Sequence, residues 1–222
     1  MEKFAFILHP LSLQDMEHLS PLMRYIPDPI IEACLKMKKP FKVSHITGIK
    51  SPYAEAEGWF IGCPLTAKQM VELPEEFVMD RIIESGKVAQ KLGAKIVGLG
   101  AFTSIVGDAG ITVAKNLDIA VTSGNSYTVA TAIQGTKQAA RMMGKDLKEC
   151  RAVVVGATGS IGAASVRLLA KEVKHITLVA RHMGPLEELA QELIEQNHCE
   201  VAVSQDIRTS LQEADIVITV TS

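Results

Sequence analysis

Three glycines spaced three apart, Gly156, Gly159 and Gly162, follow the apolar, β-branched run Arg151-Ala152-Val153-Val154-Val155 and precede a helical pattern. Residues of this type at this spacing suit one chemistry, the binding of a phosphate. A helix N-terminus offers unpaired backbone N–H groups to an anion, and a turn without Cβ atoms lets the anion come close. Gly156 would make the turn, Gly159 would let the backbone approach a pyrophosphate, and Gly162 would let the helix pack closely on its strand. Thr158, Ser160 and Ile161 lie between them in the same loop and are assigned to the same site.

A glycine turn of this kind is informative only where a strand delivers it and a helix leaves it. Both are present here. A helix carrying Ile161, Ala164, Val166, Leu168 and Leu169 is followed by the strand His175-Ile176-Thr177-Leu178-Val179-Ala180. Strand, helix and strand within about thirty residues make a βαβ unit. The residue closing the second strand selects the cofactor: an acid there binds the ribose hydroxyls of NAD, and an arginine accommodates the 2′-phosphate of NADP. Arg181 stands at that position, followed by His182. The expected cofactor is therefore NADP(H). His182 reads equally as a cofactor contact and as a solvated loop residue.

Two further strand ends carry small polar residues. Lys95 to Leu99 reads as a buried strand delivering Gly100-Ala101-Phe102-Thr103-Ser104-Ile105, and Ile119-Ala120-Val121 as a short strand delivering Thr122-Ser123-Gly124-Asn125-Ser126. Ligands of open α/β sheets bind outside the carboxyl ends of strands, which makes Thr103, Ser104, Gly124 and Asn125 candidate substrate residues. Each taken singly also suits an ordinary turn or helix cap.

The cysteines Cys34, Cys63, Cys150 and Cys199 lie far apart without CxxC or Cys/His spacing, so neither a metal site nor a disulfide framework is supported. Cys63, between an apolar strand and Pro64, is the one cysteine weighed as a nucleophile. No His or Lys beside it in sequence lowers its pKa, and packing is the commoner role of such a thiol. His9, His18, His45, His175 and His198 are scattered without ligand spacing and read as surface or core residues.

The elements that position these residues follow from periodicity and punctuation. Phe4 to Leu8 reads as a strand, and Ser12 as the N-cap of a helix carrying Leu13, Met16, Leu19 and Met23. Then come a helix from Ile30 to Lys38, strands from Phe41 to Gly48 and from Trp59 to Pro64, helices from Thr66 to Leu73 and from Pro74 to Leu92, and a long helix from Tyr127 to Met143 capped by Asn125 or Ser126. Beyond the βαβ unit the pattern gives a helix from Gly184-Pro185, a strand Val201-Ala202-Val203, a short helix capped by Asp206, and a strand from Asp215 to Val220. The fold class is α/β: an N-terminal α/β substrate domain over residues 1–145, then an incomplete NAD(P)-binding Rossmann domain over 146–222. Such domains usually have about six strands, of which this chain supplies about four, so the sequence reads as an N-terminal fragment of a longer protein.

Composition excludes several other classes. With 47% hydrophobic and 22% charged residues the chain is of ordinary globular type, and a net charge of −2 offers no footprint for nucleic acid or an anionic membrane. No apolar run approaches the roughly eighteen residues of a membrane span, and the short apolar N-terminus lacks a signal cleavage site. The expected location is the cytoplasm, with reduced thiols.

Four motifs in order, Gly98-Leu99-Gly100-Ala101-Phe102-Thr103-Ser104-Ile105, Thr122-Ser123-Gly124-Asn125-Ser126-Tyr127-Thr128, Val154-Val155-Gly156-Ala157-Thr158-Gly159-Ser160-Ile161-Gly162 and Leu178-Val179-Ala180-Arg181, resemble the long-chain acyl-[acyl-carrier-protein] reductase family of cyanobacterial type. The resemblance runs from about Trp59 to Ser222. More distantly the chain is similar to the shikimate dehydrogenase and glutamyl-tRNA reductase group. The resemblance implies NADPH-dependent reduction of a fatty acyl thioester to an aldehyde through an acyl-cysteine, with the nucleophile beyond Ser222. Met16, Met23, Met37, Met70 and Met79 would suit an apolar substrate or fill cores. The alternatives are a shikimate-dehydrogenase-like oxidoreductase acting on a small polar acid, whose lysine and aspartate pair has no counterpart here, and a non-catalytic NADP(H)-binding sensor module.

Overall fold

Alternation along Glu2–Leu8 (β1) turns Ala5 and Ile7 to one face, where both are buried, and Phe4, Phe6 and Leu8 to the other. A strand with apolar side chains on both faces suits the interior of a sheet. In the computed structural model, which describes residues 2–16, 21–196 and 199–221, β1 is the middle strand of five. The others are β2 (Phe41–Lys50), β3 (Glu55–Gly62), β4 (Ile96–Leu99) and β5 (Ala120–Thr122), in the order β2-β3-β1-β4-β5. Only β2 runs antiparallel. The carboxyl ends of β1, β3, β4 and β5 therefore lie on one side of the sheet.

The helices of this unit are α1 (Asp28–Met37), α2 (Ala67–Glu72), α3 (Glu75–Lys91) and α4 (Ile111–Lys115). Ala5, Ile7, Trp59, Ile61, Val97 and Leu99 form one core with Val78, Met79, Ile82 and Ile83 of α3. Full burial of each large aliphatic side chain contributes about 1.5–3 kcal/mol. On the opposite face the Phe4 ring occupies the place of a Cβ on Gly58, and the Phe6 ring that on Gly98. Helix α2 begins with a capping box, in which Thr66 Oγ1 accepts from Gln69 N at 3.2 Å and Gln69 Oε1 accepts from Thr66 N at 3.1 Å.

Where a helix is expected after Ser12, the described residues form short 3₁₀ turns at Leu13–Met16 and Pro21–Tyr25. Asp15 reaches back to accept from Leu11 N at 2.7 Å and Ser12 N at 3.0 Å, which folds the chain on itself there. His18, Leu19 and His198 lie outside the described residues. Met70 and Met79 are core residues, whereas Met37 is exposed.

The second unit opens with α5 (Asn125–Met142) and continues through β6 (Arg151–Val155), α6 (Ser160–Leu169), β7 (His175–Val179), α7 (Met183–Gln196), β8 (Glu200–Ser204), α8 (Ile207–Ser210) and β9 (Ile216–Thr219). Its four strands are all parallel in the order β8-β7-β6-β9, the order of the first strands of a doubly wound nucleotide-binding sheet.

The compact units are Met1–Gly124 and Asn125–Ser222, so the boundary lies earlier than the 145/146 division read from the sequence. The reason is the apolar stripe of α5: Val129 and Ile133 are buried in one cluster with Val154, Val166, Leu169 and Leu178. The segment after α5 is also no free linker. Lys145 Nζ lies 2.5 Å from Asp215 Oδ1, and Asp215 Oδ2 accepts from Arg151 N at 3.0 Å. Among the described residues no helix is long and apolar enough to cross a membrane.

Candidate functional site

The turn between β6 and α6 is built on one carbonyl and on two glycines that nothing larger can replace. Gly156 has φ +85°, and a Cβ on it would meet Val220 O at 2.7 Å. A Cβ on Gly162 would lie 2.0 Å from Gly156 O, which is how closely α6 approaches its strand. Gly156 N and Ala157 N both donate to Val179 O, at 2.8 and 3.1 Å, and Gly159 N donates to Gly156 O at 3.1 Å. These bonds hold the turn between β6 and the end of β7.

Gly159 differs from the other two. Its φ is −70°, and a Cβ there would meet nothing nearer than Gly156 O at 3.4 Å, an ordinary contact. It is the N-cap of α6, and no side chain caps the helix. The first amides of α6 therefore have no intrahelical partner and no side-chain substitute, the arrangement that receives an anion. Gly159→Ala is expected to leave the thermal midpoint within about 4 °C of the parent, since a small surface change stays within about 0.5 kcal/mol. The same change is expected to weaken the binding of a nicotinamide dinucleotide about tenfold, or about 1.4 kcal/mol, if its phosphate lies against the turn, as measured by calorimetry. Unchanged affinity would mean that no ligand approaches there.

Gly156, Thr158 and Gly159 line a cavity of about 400 Å³ together with Val155, Val179, Ala180, Arg181 and His182. Arg181 and His182 are exposed at the end of β7, where the sequence places them. The ion pairs of this unit use Lys137, Lys145, Arg151, Arg167, Lys174 and His175, and among the described residues none uses Arg181. Ser160 and Ile161 form the first turn of α6, while buried Gly162 serves packing. Asn125, read as a substrate residue, donates through Nδ2 to Ser160 Oγ at 3.2 Å and so adjoins the glycine turn. The cavity also contains Gln205, Ile207, Val220 and Thr221, which sequence reasoning missed. They follow β8 and β9, whose carboxyl ends were legible as the place to look.

Thr103, Ser104 and Gly124 belong to the first unit, beyond the paired strands β4 and β5. Thr103 is buried and its hydroxyl donates to Gly100 O at 2.8 Å; the Ser104 hydroxyl donates to Ala101 O at 2.7 Å. Both hydroxyls donate within the 3₁₀ turn Ala101–Ser104 that they help to form. Gly124 has φ +78°.

His9, dismissed on spacing, holds that turn. Its Nε2 accepts from Phe102 N at 3.2 Å, its Nδ1 lies 3.0 Å from Pro10 O, and its ring meets Phe102 edge-on at 5.9 Å. An amide can only donate and a carbonyl can only accept, so the imidazole is neutral with its proton on Nδ1. Next to it Ala101 adopts φ +49°, a left-handed conformation costing a non-glycine residue about 1 kcal/mol or more. Burial lowers the His9 pKa below its ordinary 6.5, against the Pro10 hydrogen bond and the Asp15 charge, which raise it. A depressed histidine binds its proton more readily unfolded than folded. Its contribution to stability is therefore complete above pH 6.5 and is lost as pH falls from there toward the folded value. His9→Gln is expected to flatten this acid-side fall of the urea midpoint, read at Trp59 in the same unit. An identical fall in both proteins would remove His9 from the explanation.

Cys63 does not serve as a substitute nucleophile. It is fully buried, and burial pushes its thiol up to about 11, so it carries no thiolate near neutral pH. Burial also raises the thiols of Cys150 and Cys199. Among the described residues no three His, Cys, Asp or Glu side chains converge to hold a metal.

The family model described as Shikimate / quinate 5-dehydrogenase matches residues 137–222. The chain is 30% identical over 183 residues to the aminotransferase PigE of a Serratia species, covering 82% of this chain and 21% of that protein. It is 26% identical over 238 residues to the long-chain acyl-[acyl-carrier-protein] reductase of Synechococcus elongatus, covering 99% of this chain and 65% of the reductase. The chain thus spans about a fifth and just under two thirds of these two relatives. The L-tryptophan dehydrogenase of Nostoc punctiforme is similar in structure with a TM-score of 0.44 and 15% identity, over 100% of this chain and 56% of that one. The sequence matches support a distant relationship to dehydrogenases and reductases rather than membership of one of these families.

Proposed function

We propose that the second unit binds NADP(H) and that the chain serves an oxidoreductase reducing a fatty acyl thioester, free or on an acyl carrier protein, to the aldehyde. The observation that carries this reading is the 400 Å³ cavity, lined by the glycine turn at the start of α6 and by an Arg181 that no ion pair engages among the described residues. A pyrophosphate suits an uncapped helix start with glycine clearance, and a 2′-phosphate suits a guanidinium. The bound cofactor supplies a hydride. The chain's own residues bind and orient it: Gly156 and Gly159 give clearance, the first amides of α6 receive phosphate oxygens, and Arg181 with neighbouring His182 reads the ribose end.

The first unit we take as the substrate-binding part, with Thr103, Ser104 and Gly124 at neighbouring strand ends. The thioester part of the reading draws support from the identity to the Synechococcus reductase along nearly the whole chain. Acyl transfer is not assigned to Cys63, Cys150 or Cys199, whose thiols are all held protonated. The family match over residues 137–222 favours a second reading, an oxidoreductase acting on a small polar acid.

The test is calorimetric titration of the 222-residue chain with NADPH and NADH, followed, in the protein at its full encoded length, by assay of NADPH consumption with an acyl thioester and of NADP+ reduction with shikimate. NADPH is expected to bind the 222-residue chain more tightly than NADH, and to be consumed with the thioester by the full-length protein. Binding of neither nucleotide would overturn the reading of the cavity, and NADP+ reduction with shikimate, without turnover of the thioester, would select the second reading.

A further inference from the structure

We infer that Gln205 is a positioning residue for cofactor selection, fixing the strand end that presents Arg181; this rests on the NADP(H) reading above. Gln205 Nε2 donates to Arg181 O at 2.6 Å. A backbone carbonyl can only accept, so the contacting atom is the amide nitrogen and not the amide oxygen. The bond crosses between neighbouring parallel strands, since Val179 of β7 is in register with Ser204 of β8.

Both ends of this bridge are anchored. On the β8 side Ser204 Oγ accepts from Asp206 N at 3.0 Å, and Asp206 Oδ1 accepts from Arg208 N at 2.9 Å and Thr209 N at 3.4 Å, capping α8. The hydroxyl of Thr209 and these amides hold the Asp206 carboxyl below its ordinary value, so the cap is ionised at neutral pH. Gln205 thus projects from a segment fixed before and after it. On the β7 side Val179 O receives two amides of the glycine turn. The stretch Val179-Ala180-Arg181 is therefore held by the phosphate turn at one end and by Gln205 at the other, and all three elements line the same cavity. A guanidinium on a backbone already fixed loses less freedom when a phosphate binds it.

The test reads the NADPH-to-NADH affinity ratio, which a merely structural residue would not move. Gln205→Leu and the similarly shaped, uncharged Gln205→Met both remove the donor at an exposed position without adding charge. Each is expected to lower the ratio about three- to tenfold, the worth of one neutral hydrogen bond, with NADH affinity unchanged. With Arg181→Ala the effects should not add: the double variant should show the ratio of Arg181→Ala alone. If the parent discriminates and Arg181→Ala does not, while both Gln205 variants keep the full ratio, the role of Gln205 is overturned and the site stands. Equal loss for both nucleotides would show a structural role only, and overturns it too. A parent that does not distinguish the nucleotides overturns the Arg181 reading, and the Gln205 role with it.

Discussion

Gly162→Ala is expected to unfold the second unit while the first keeps its structure. The added Cβ would lie 2.0 Å from Gly156 O and 2.9 Å from Gly156 C, both backbone atoms of the turn. No side chain can rotate to relieve such a contact, so either α6 moves off β6 or the turn opens. Either movement disturbs the packing of Val166 and Leu169 against Val154 and Leu178. Overpacking of a close contact typically costs about 1–3 kcal/mol and more where backbone must shift. At about 4–8 °C per kcal/mol for a unit of this size, the thermal midpoint should fall by more than about 10 °C. The sole tryptophan, Trp59, lies in the first core and reports that unit alone, whereas circular dichroism reports both. The expected result is an early loss of helical signal with the Trp59 transition little changed. A variant as stable as the parent would contradict the described approach of helix to strand.

Arg181→Ala is expected to remove the preference for NADPH. A charge-assisted hydrogen bond is worth about 1.5–3 kcal/mol, so the dissociation constant for NADPH should rise about ten- to a hundredfold. That for NADH should stay as it is, because no 2′-phosphate is there to be read. The side chain is exposed, its ion-pairing capacity is unused among the described residues, and its loss should not affect folding. Screening predicts a further signature: the parent's preference should shrink as salt is raised, and that of the variant should not. Equal weakening of both nucleotides would assign Arg181 to something other than the phosphate.

The glycine turn was legible because its requirements are local. Glycines three apart, a β-branched strand before them and a helix after them lie within a few residues of one another, and Arg181 ends the next strand in the chain. What the sequence hid is non-local. Phe102 N meets His9 across 93 residues, and Gln205 meets Arg181 across 24, with no motif to announce either pair. The start of β3 was missed because Glu55-Ala56-Glu57 looks solvated, yet Glu57 pairs with Lys3 at 3.3 Å and His45 at 3.1 Å across neighbouring strands. The place of α5 was misjudged for a related reason: its apolar stripe reveals that it packs, but not against which sheet.

In each unit the first strand in sequence finishes in the interior of its sheet, β1 between β3 and β4, and β6 between β7 and β9. The order of synthesis therefore runs against the order of pairing. Arg151–Val155 emerges before either neighbour exists and gains its second ladder only with Ile216–Thr219. At about 5–20 residues per second this leaves a valine-rich strand without its partner for about 3 to 14 seconds. Pairings so distant in sequence form slowly, and an unpaired apolar edge is what chaperones and aggregates take up. The segment that ends in the glycine turn is thus also one that stays exposed while the chain is being made.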